Sequence, residues 1–420
     1  VLVLHRMPTL ADRYSGQSNA FGTLRLTLSL WVLISHAWPL GYALQGFGPT
    51  FTRGQADLGT LALYGFFVLS GFLVAASGLR STWSRFVWYR AMRIFPGLWV
   101  CLLVTVFLFA PLAAYIENGG LAGFWDHPQG PFEFLRVNWF GSMEQYPISG
   151  LLADTPFGHV MGGPSAFTGS MWTLHYEYAC YAGIAVLAAT SLLRRAPRVI
   201  LLLAGCGFGL ILFDLVTSDT WAIRPPARGA IGPFPLIGSY AWNWTLYLGF
   251  LFLLGAAARL YMHRLPMHGA LALVAVGVMV VSMALGGWVA FGLPAWGYVL
   301  LYLAVALPKR LQGTGRVVDY SYGVYIYAFP IQQMFALVGL TKYGLVPYIA
   351  LTIACTLPLA MLSWHFVERP ALRLKDVDPS RWQWWPRMPR PADAVPEPQP
   401  AAPSTLPTQS ASATQPTTTS

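Results

Sequence analysis

In the stretch LRLTLSLWVLISHAW, Arg25 and His36 stand eleven residues apart inside an apolar run. On a helix that separation is ~16 Å of rise and about three full turns, so both side chains point to nearly the same face. An ionisable group at the centre of a bilayer-spanning helix costs at least ~2.5–3.5 kcal/mol, which makes its presence a functional hypothesis. A histidine there can act as a general base, because its pKa lies near neutrality. The structural alternative is a histidine hydrogen-bonded to a neighbouring helix.

Three further places carry chemistry. In FVWYRAMRIFPGLW, Arg90 and Arg93 are three apart, on one helix face. Two guanidiniums side by side repel unless an anion lies between them, and phosphate suits their fork geometry. The alternative is ordinary basic charge at a membrane surface, which accounts better for Arg80 and Arg85. In GSMWTLHYEYACY, Glu177 lies beyond an interfacial pair, Trp172 and Tyr176, with His175 two residues before it. It needs a partner, and His36 or an arginine would serve. In FFVLSGFLV, Ser70 and Gly71 form a small-residue notch that lets helices approach closely; no base adjoins Ser70 in sequence, so packing is the better reading. Asp214, near the outer end of another apolar run, is left without a role.

These residues need helices to hold them. Hydrophobic residues make up 55% of the chain and charged residues 10%, and mean hydropathy is positive. A soluble domain carries roughly a quarter charged residues. Apolar runs near or above the ~18 residues that span a bilayer recur at roughly 22–40, 58–78, 94–116, 169–192, 199–216, 241–260, 269–290, 294–308, 319–340 and 345–367. The fold class is all-α: a polytopic membrane protein of about ten transmembrane helices in one bundle. The eighth run is short and opens on a proline; merging it with the seventh would reverse everything after it.

Basic residues set the orientation. With a cytoplasmic N-terminus, every Lys and Arg except Arg53, Arg136, Arg224, Arg228 and Lys342 falls on the inside. Both termini are therefore expected in the cytoplasm, in a multi-pass protein of the cell membrane. The net charge of +10 sits in short caps between apolar runs, not on one face, which argues against nucleic acid. Cys101, Cys180, Cys206 and Cys355 are isolated, without metal-binding spacing, so no metal is expected. The N-terminus shows no cleavable signal pattern, and Met7 is a candidate start.

Residues 1–18 read as a cytoplasmic N-terminal segment and 19–375 as the membrane domain. Within it, 117–168 is a long external connection whose aromatics (Phe124, Trp125, Phe132, Phe134, Trp139, Phe140, Tyr146) favour a folded lid. Residues 376–420, rich in Pro, Ala, Ser and Thr, cannot build a core and are expected to be a disordered cytoplasmic tail.

Over about residues 20–375 the chain resembles the acyltransferase family 3 group. Arg25 and His36 match the family's arginine and histidine at its separation. GTLALYGFFVLSGFL resembles its FFVxSGFL block, RAMRIFPGLW its RxxR-I-x-P block, and GSMWTLHYE its SLWTLxxE block. DYSYGVYIYAFPIQQ resembles the late SYxxYLxHxP block, and HFVERP the closing ERP element. The resemblance implies an O-acyltransferase that moves an acyl group, commonly acetyl from acetyl-CoA, to a hydroxyl of a carbohydrate, glycolipid or small natural product. It implies His36 as catalytic base, Arg25 and Glu177 as required active-site partners, and Arg90 and Arg93 as the acyl-CoA-binding pair. One buried path is expected to join the arginines, facing cytoplasmic acyl-CoA, to His36 farther out. Tyr64 stands where many members have an acid, Thr168 where an asparagine is frequent, and Ala328 where the late block has its histidine, so no second catalytic histidine is implied. The rival class is a transporter or flippase, suggested by Pro330, Pro358 and the midplane charges.

Overall fold

The computed structural model describes residues 7–16, 18–217, 229–234, 238–312 and 318–374. The expected tail, 376–420, and the chain's first residues lie outside these. The principal helices are α1 (Phe21–Tyr42), α2 (Leu58–Arg80), α3 (Trp83–Val104), α4 (Leu174–Ala189), α5 (Arg198–Thr217), α6 (Trp242–Leu260), α7 (Gly269–Leu285), α8 (Leu293–Ala306), α9 (Ser321–Leu337) and α10 (Leu345–Ser363). Among the described residues six helices are long and apolar enough to cross a membrane: 58–80, 83–118, 198–217, 242–260, 288–306 and 345–373. The seventh and eighth apolar runs stay separate, broken at Gly286 and Gly287, both at positive φ.

Local sequence explains the boundaries. Asp57 begins α2 by accepting a hydrogen bond from the Thr60 amide at 2.7 Å. Pro39 sits in the last turns of α1 and Pro96 inside α3; neither donates an amide hydrogen, so the Ser35 and Met92 carbonyls lose their intrahelical donors. α3 runs on through a π-helical turn, Thr105–Phe109, into Ala110–Asn118. Two more π-turns precede α8 (Trp288–Gly292) and follow α10 (Trp364–Glu368).

α1 packs between α2 and α9, α9 against α10, and α2 against α6. The α2–α6 contact uses the notch read from sequence. A Cβ on Gly71 would run into the Phe252 carbonyl, and one on Gly255 into the Val68 carbonyl. The outward faces of α5, α7 and α10 carry exposed Leu202, Phe213, Leu273, Val274, Val346 and Leu351. Side chains of this kind left outside a core suit lipid as the surrounding solvent.

The all-α expectation needs one correction. Ala230–Phe234 and Gly238–Ala241 form a short antiparallel hairpin between α5 and α6. It forms because Tyr240 buries its ring against His175 and Tyr176, and the Ala241 amide donates to the Tyr176 hydroxyl at 3.0 Å. The proline-interrupted AIGPF strand carries no alternation that a sequence pattern reveals.

The connection after Asn118 is folded. It contains helices Pro131–Asn138 and Pro156–Met161. The buried Asn138 side chain accepts from the Glu144 and Gln145 amides and donates to the Gln145 carbonyl, closing the loop on itself. Phe124 and Phe134 are buried, and Phe157 meets Phe329 of α9 edge to face, with centroids 5.9 Å apart.

Candidate active site

Two cavities lie inside the bundle. The first, of about 810 Å³, is lined by Arg25 of α1, Phe66 and Ser70 of α2, Arg90 and Arg93 of α3, and Glu177 of α4, with other residues. The second, of about 670 Å³, holds His36, Asp57, Thr60, Trp172 and Trp244 among its lining. Leu63, Thr173 and Tyr325 line both. Four of the sequence-predicted site residues, Arg25, Arg90, Arg93 and Glu177, therefore meet in one chamber. His36 lines the adjoining cavity, which meets the first at the three residues common to both.

The arginines are held differently from one another. Asp319, just before α9, accepts from Arg25 Nη1 at 2.8 Å and from Arg93 Nη2 at 2.5 Å. Its other oxygen accepts from the Ser321 amide and hydroxyl. Glu368, at the end of the last π-turn, lies 3.7 Å from Arg93 Nη1 and accepts from the Ser363 hydroxyl at 2.9 Å. Arg93 also lies near the Trp364 ring. Two carboxylates thus hold Arg93 in place, whereas no carboxylate is within ion-pair distance of Arg90 among the described residues. The Arg90 guanidinium instead lies over the rings of Tyr89, Phe86 and Tyr181, at 4.6, 5.6 and 5.5 Å from their centroids. Its Nε is buried without a hydrogen-bond partner. An unpaired buried donor of this kind calls for an acceptor, and Arg90 is the guanidinium of this chamber still available to an incoming anion.

Glu177 does not pair with His36 or directly with an arginine. It accepts from the Ser70 hydroxyl at 3.1 Å and from the Tyr181 hydroxyl, one turn farther along α4. His175 turns away from it, packed between Tyr176 and Tyr240, with neither ring nitrogen hydrogen-bonded. Residues two apart on a helix point to different sides, which accounts for the separation.

His36 stands on α1 with its ring edge-on to Phe329 at 5.5 Å. Ser35 beside it is crowded by Gly46 and Gly59; a Cβ at Gly46 would lie 2.9 Å from its hydroxyl oxygen. The same lining includes Trp172 and Trp244, with ring centroids 5.0 Å apart. Ala328, at the position of the missing second histidine, packs with Leu33, Val324 and Ala360 as plain core.

A helical bundle with buried arginines and a histidine in adjoining chambers fits several membrane functions, and comparison with known proteins decides between them. Residues 19–365 match the acyltransferase domain. The chain belongs to the acyltransferase 3 family. It is accordingly a multi-pass membrane acyltransferase. It is 30% identical over 366 residues to an O-acetyl transferase of Shigella phage Sf6, covering 84% of this chain and 96% of that one. It is 26% identical over 400 residues to nodulation protein 10 of Rhizobium leguminosarum bv. viciae, covering 87% and 96%. No solved structure matches.

Within this acyltransferase, sequence reasoning missed Asp319 and Glu368. A signal for them was present. Three arginines at the ends of apolar runs require counter-charges, and Asp319 and Glu368 are the acids at the edges of the last two runs.

Proposed function

We propose that this acyltransferase moves an acetyl group from cytoplasmic acetyl-CoA to a hydroxyl of a carbohydrate or lipid-linked glycan reached from the other side of the membrane. The observation that carries this reading is the pair of cavities sharing one wall, cationic on one side and holding a histidine on the other. Both termini are cytoplasmic in this reading, as the distribution of basic residues supports, and the membrane domain is a bundle of about ten spans.

In this scheme the phosphates of CoA are held by Arg90. Arg93 and Arg25, oriented through Asp319, shape the floor of the donor chamber and add positive potential. The acyl end reaches toward Leu63, Thr173 and Tyr325. The acceptor enters the second chamber, where its ring lies against the Trp172–Trp244 face and its hydroxyl reaches His36. Tryptophan faces suit the apolar face of a sugar, and the neighbouring Thr60 and Asp57 suit its hydroxyls. His36 removes the hydroxyl proton as the oxygen attacks the thioester carbon. Glu177, held by Ser70 and Tyr181, keeps the donor chamber's wall between α2 and α4 in register. An acetyl donor is supported by the phage relative, itself called an O-acetyl transferase.

The test is thiol release from acetyl-CoA by purified full-length protein, with succinyl-CoA as a competing donor. His36→Ala is expected to be inactive while still folded and still able to bind acetyl-CoA. Full activity in that variant removes this mechanism, and faster turnover of succinyl-CoA changes the donor.

A further inference from the structure

The wall between the two cavities is the place where donor and acceptor must meet. Reacting atoms in a productive complex stand ~3–3.5 Å apart. An acyl group delivered through the arginine chamber and a hydroxyl presented to His36 would approach each other where the two linings coincide, at Leu63, Thr173 and Tyr325. Leu63 is apolar. Thr173 and Tyr325 are the polar side chains of this wall, and their hydroxyl oxygens are 2.6 Å apart.

We propose that the Thr173 and Tyr325 hydroxyls donate the hydrogen bonds that stabilise the oxyanion of the tetrahedral intermediate. The inference rests on the proposed acyl transfer and adds two catalytic residues to it.

The local geometry suits the role. Thr173 ends a tight 3₁₀ turn, Gly169–Thr173, that leads into α4, and it is buried. Tyr325 lies one turn into α9, its ring edge-on to Phe66 with centroids 5.8 Å apart. The Tyr325 hydroxyl donates to the Ser170 carbonyl at 2.8 Å, and the Ser170 hydroxyl donates to the Tyr325 carbonyl at 3.1 Å. The turn and the helix are thereby locked to each other. Because Tyr325 has a single proton, given to Ser170, the shared proton of the 2.6 Å contact comes from Thr173. The resting wall is a short chain running from Thr173 through Tyr325 to a backbone carbonyl. A full negative charge is a stronger acceptor than either neutral oxygen, so both hydroxyls turn to an oxyanion formed between them.

The step balances. The acceptor oxygen bonds to the thioester carbon and its proton passes to His36. The carbonyl π pair moves onto oxygen, where Thr173 and Tyr325 hold it. Collapse of the intermediate breaks the carbon–sulfur bond, and the CoA thiolate takes the proton from His36, leaving ester and free thiol.

The experiment uses full-length protein in detergent with acetyl-CoA and water as the acyl acceptor, reading thiol release for kcat and equilibrium binding for the acetyl-CoA Kd. Loss of one oxyanion donor typically lowers kcat by ~10²–10³. Tyr325→Phe and Thr173→Val are each expected to lower kcat by about 100-fold or more, with Kd within about twofold of wild type. Thr173→Ser, which keeps the hydroxyl, is expected to recover most of the rate lost in Thr173→Val. Tyr325→Phe retains the ring and its packing, so it reads the hydroxyl even if the valine variant fails to fold. A kcat within about threefold of wild type in Tyr325→Phe overturns the proposal, as does a rise in Kd parallel to the fall in kcat. Tyr325→Phe fully active beside an inactive His36→Ala would remove the oxyanion role and leave acyl transfer standing; no thiol release by the wild-type protein would remove both.

Discussion

The arginine chamber and the histidine chamber are neighbours, yet their polar groups are secured in opposite ways. In the first, Asp319 pairs with both Arg25 and Arg93 and Glu368 lies against Arg93, and these ion pairs hold the two arginines in fixed positions. In the second, His36 meets Phe329 edge to face and shares its lining with Trp172 and Trp244. Asp57 caps a helix in the same lining. The contrast separates two tasks. Binding a polyanion needs positive charge held firmly against its own repulsion, whereas a base must remain free to change its proton occupancy. Arg90, the one of the three arginines with no carboxylate within ion-pair distance among the described residues, is the one proposed for the task of binding.

That division can be broken by substitution. The largest effect is expected at His36: alanine there should lower turnover by ~10²–10⁴, the range for loss of a general base, while acetyl-CoA affinity measured by calorimetry stays near wild type. A parallel loss of affinity would merge the two chambers' roles. Next, Arg93→Ala strands Glu368, which is 1% exposed and, among the described residues, keeps Ser363 as its hydrogen-bond partner. Removing one member of a buried ion pair costs ~3–5 kcal/mol, so the detergent-solubilised variant should unfold at a markedly lower temperature. An unchanged melting temperature would make Arg93 a ligand-binding residue like its neighbour.

Arg90→Ala sharpens the comparison from the other side. It breaks no ion pair, so the melting temperature should hold. Loss of a charge-assisted hydrogen bond, ~1.5–3 kcal/mol, should weaken acetyl-CoA binding by ~10–150-fold. The smallest effect is expected at Trp244→Ala, which removes half of the aromatic face. Loss of a stacking contact of ~0.5–1.5 kcal/mol should reduce acetyl transfer to a cell-envelope glycan fraction by ~2–10-fold, with acetyl-CoA affinity unchanged. Equal loss of donor affinity would place Trp244 in the donor path.

Much of this was written in the sequence. Long apolar runs announced the principal helices, and the Ser70–Gly71 notch announced a close helix crossing, because both depend on composition along a single segment. The spacing of Arg90 and Arg93 put them on one face for the same reason. What stayed hidden depends on partners distant in the chain. Asp319 meets Arg25 across 294 residues and Arg93 across 226, and no local pattern encodes such a pairing. Glu177 looked in need of His36 or an arginine; the Ser70 and Tyr181 hydroxyls, from different helices, donate to one of its oxygens instead. The contact between Thr173 and Tyr325 was equally invisible, since both are unremarkable polar residues until the turn before α4 meets α9.

The π-helical turn at Trp364–Glu368 has a consequence for how this segment tolerates change. One surplus residue in a turn rotates all that follows by about 100° relative to what precedes. Leu351, Met361 and Leu362 look outward, whereas Thr356, Ala360 and Trp364 bury the opposite face, and the turn keeps Glu368 on that buried face, against Arg93. The same helix can therefore serve hydrocarbon along most of its length and a guanidinium at its tip. Removing one codon between 364 and 367 would rotate the carboxylate by about 100° away from Arg93, so the length of this stretch sets the ion pair as much as its side chains do.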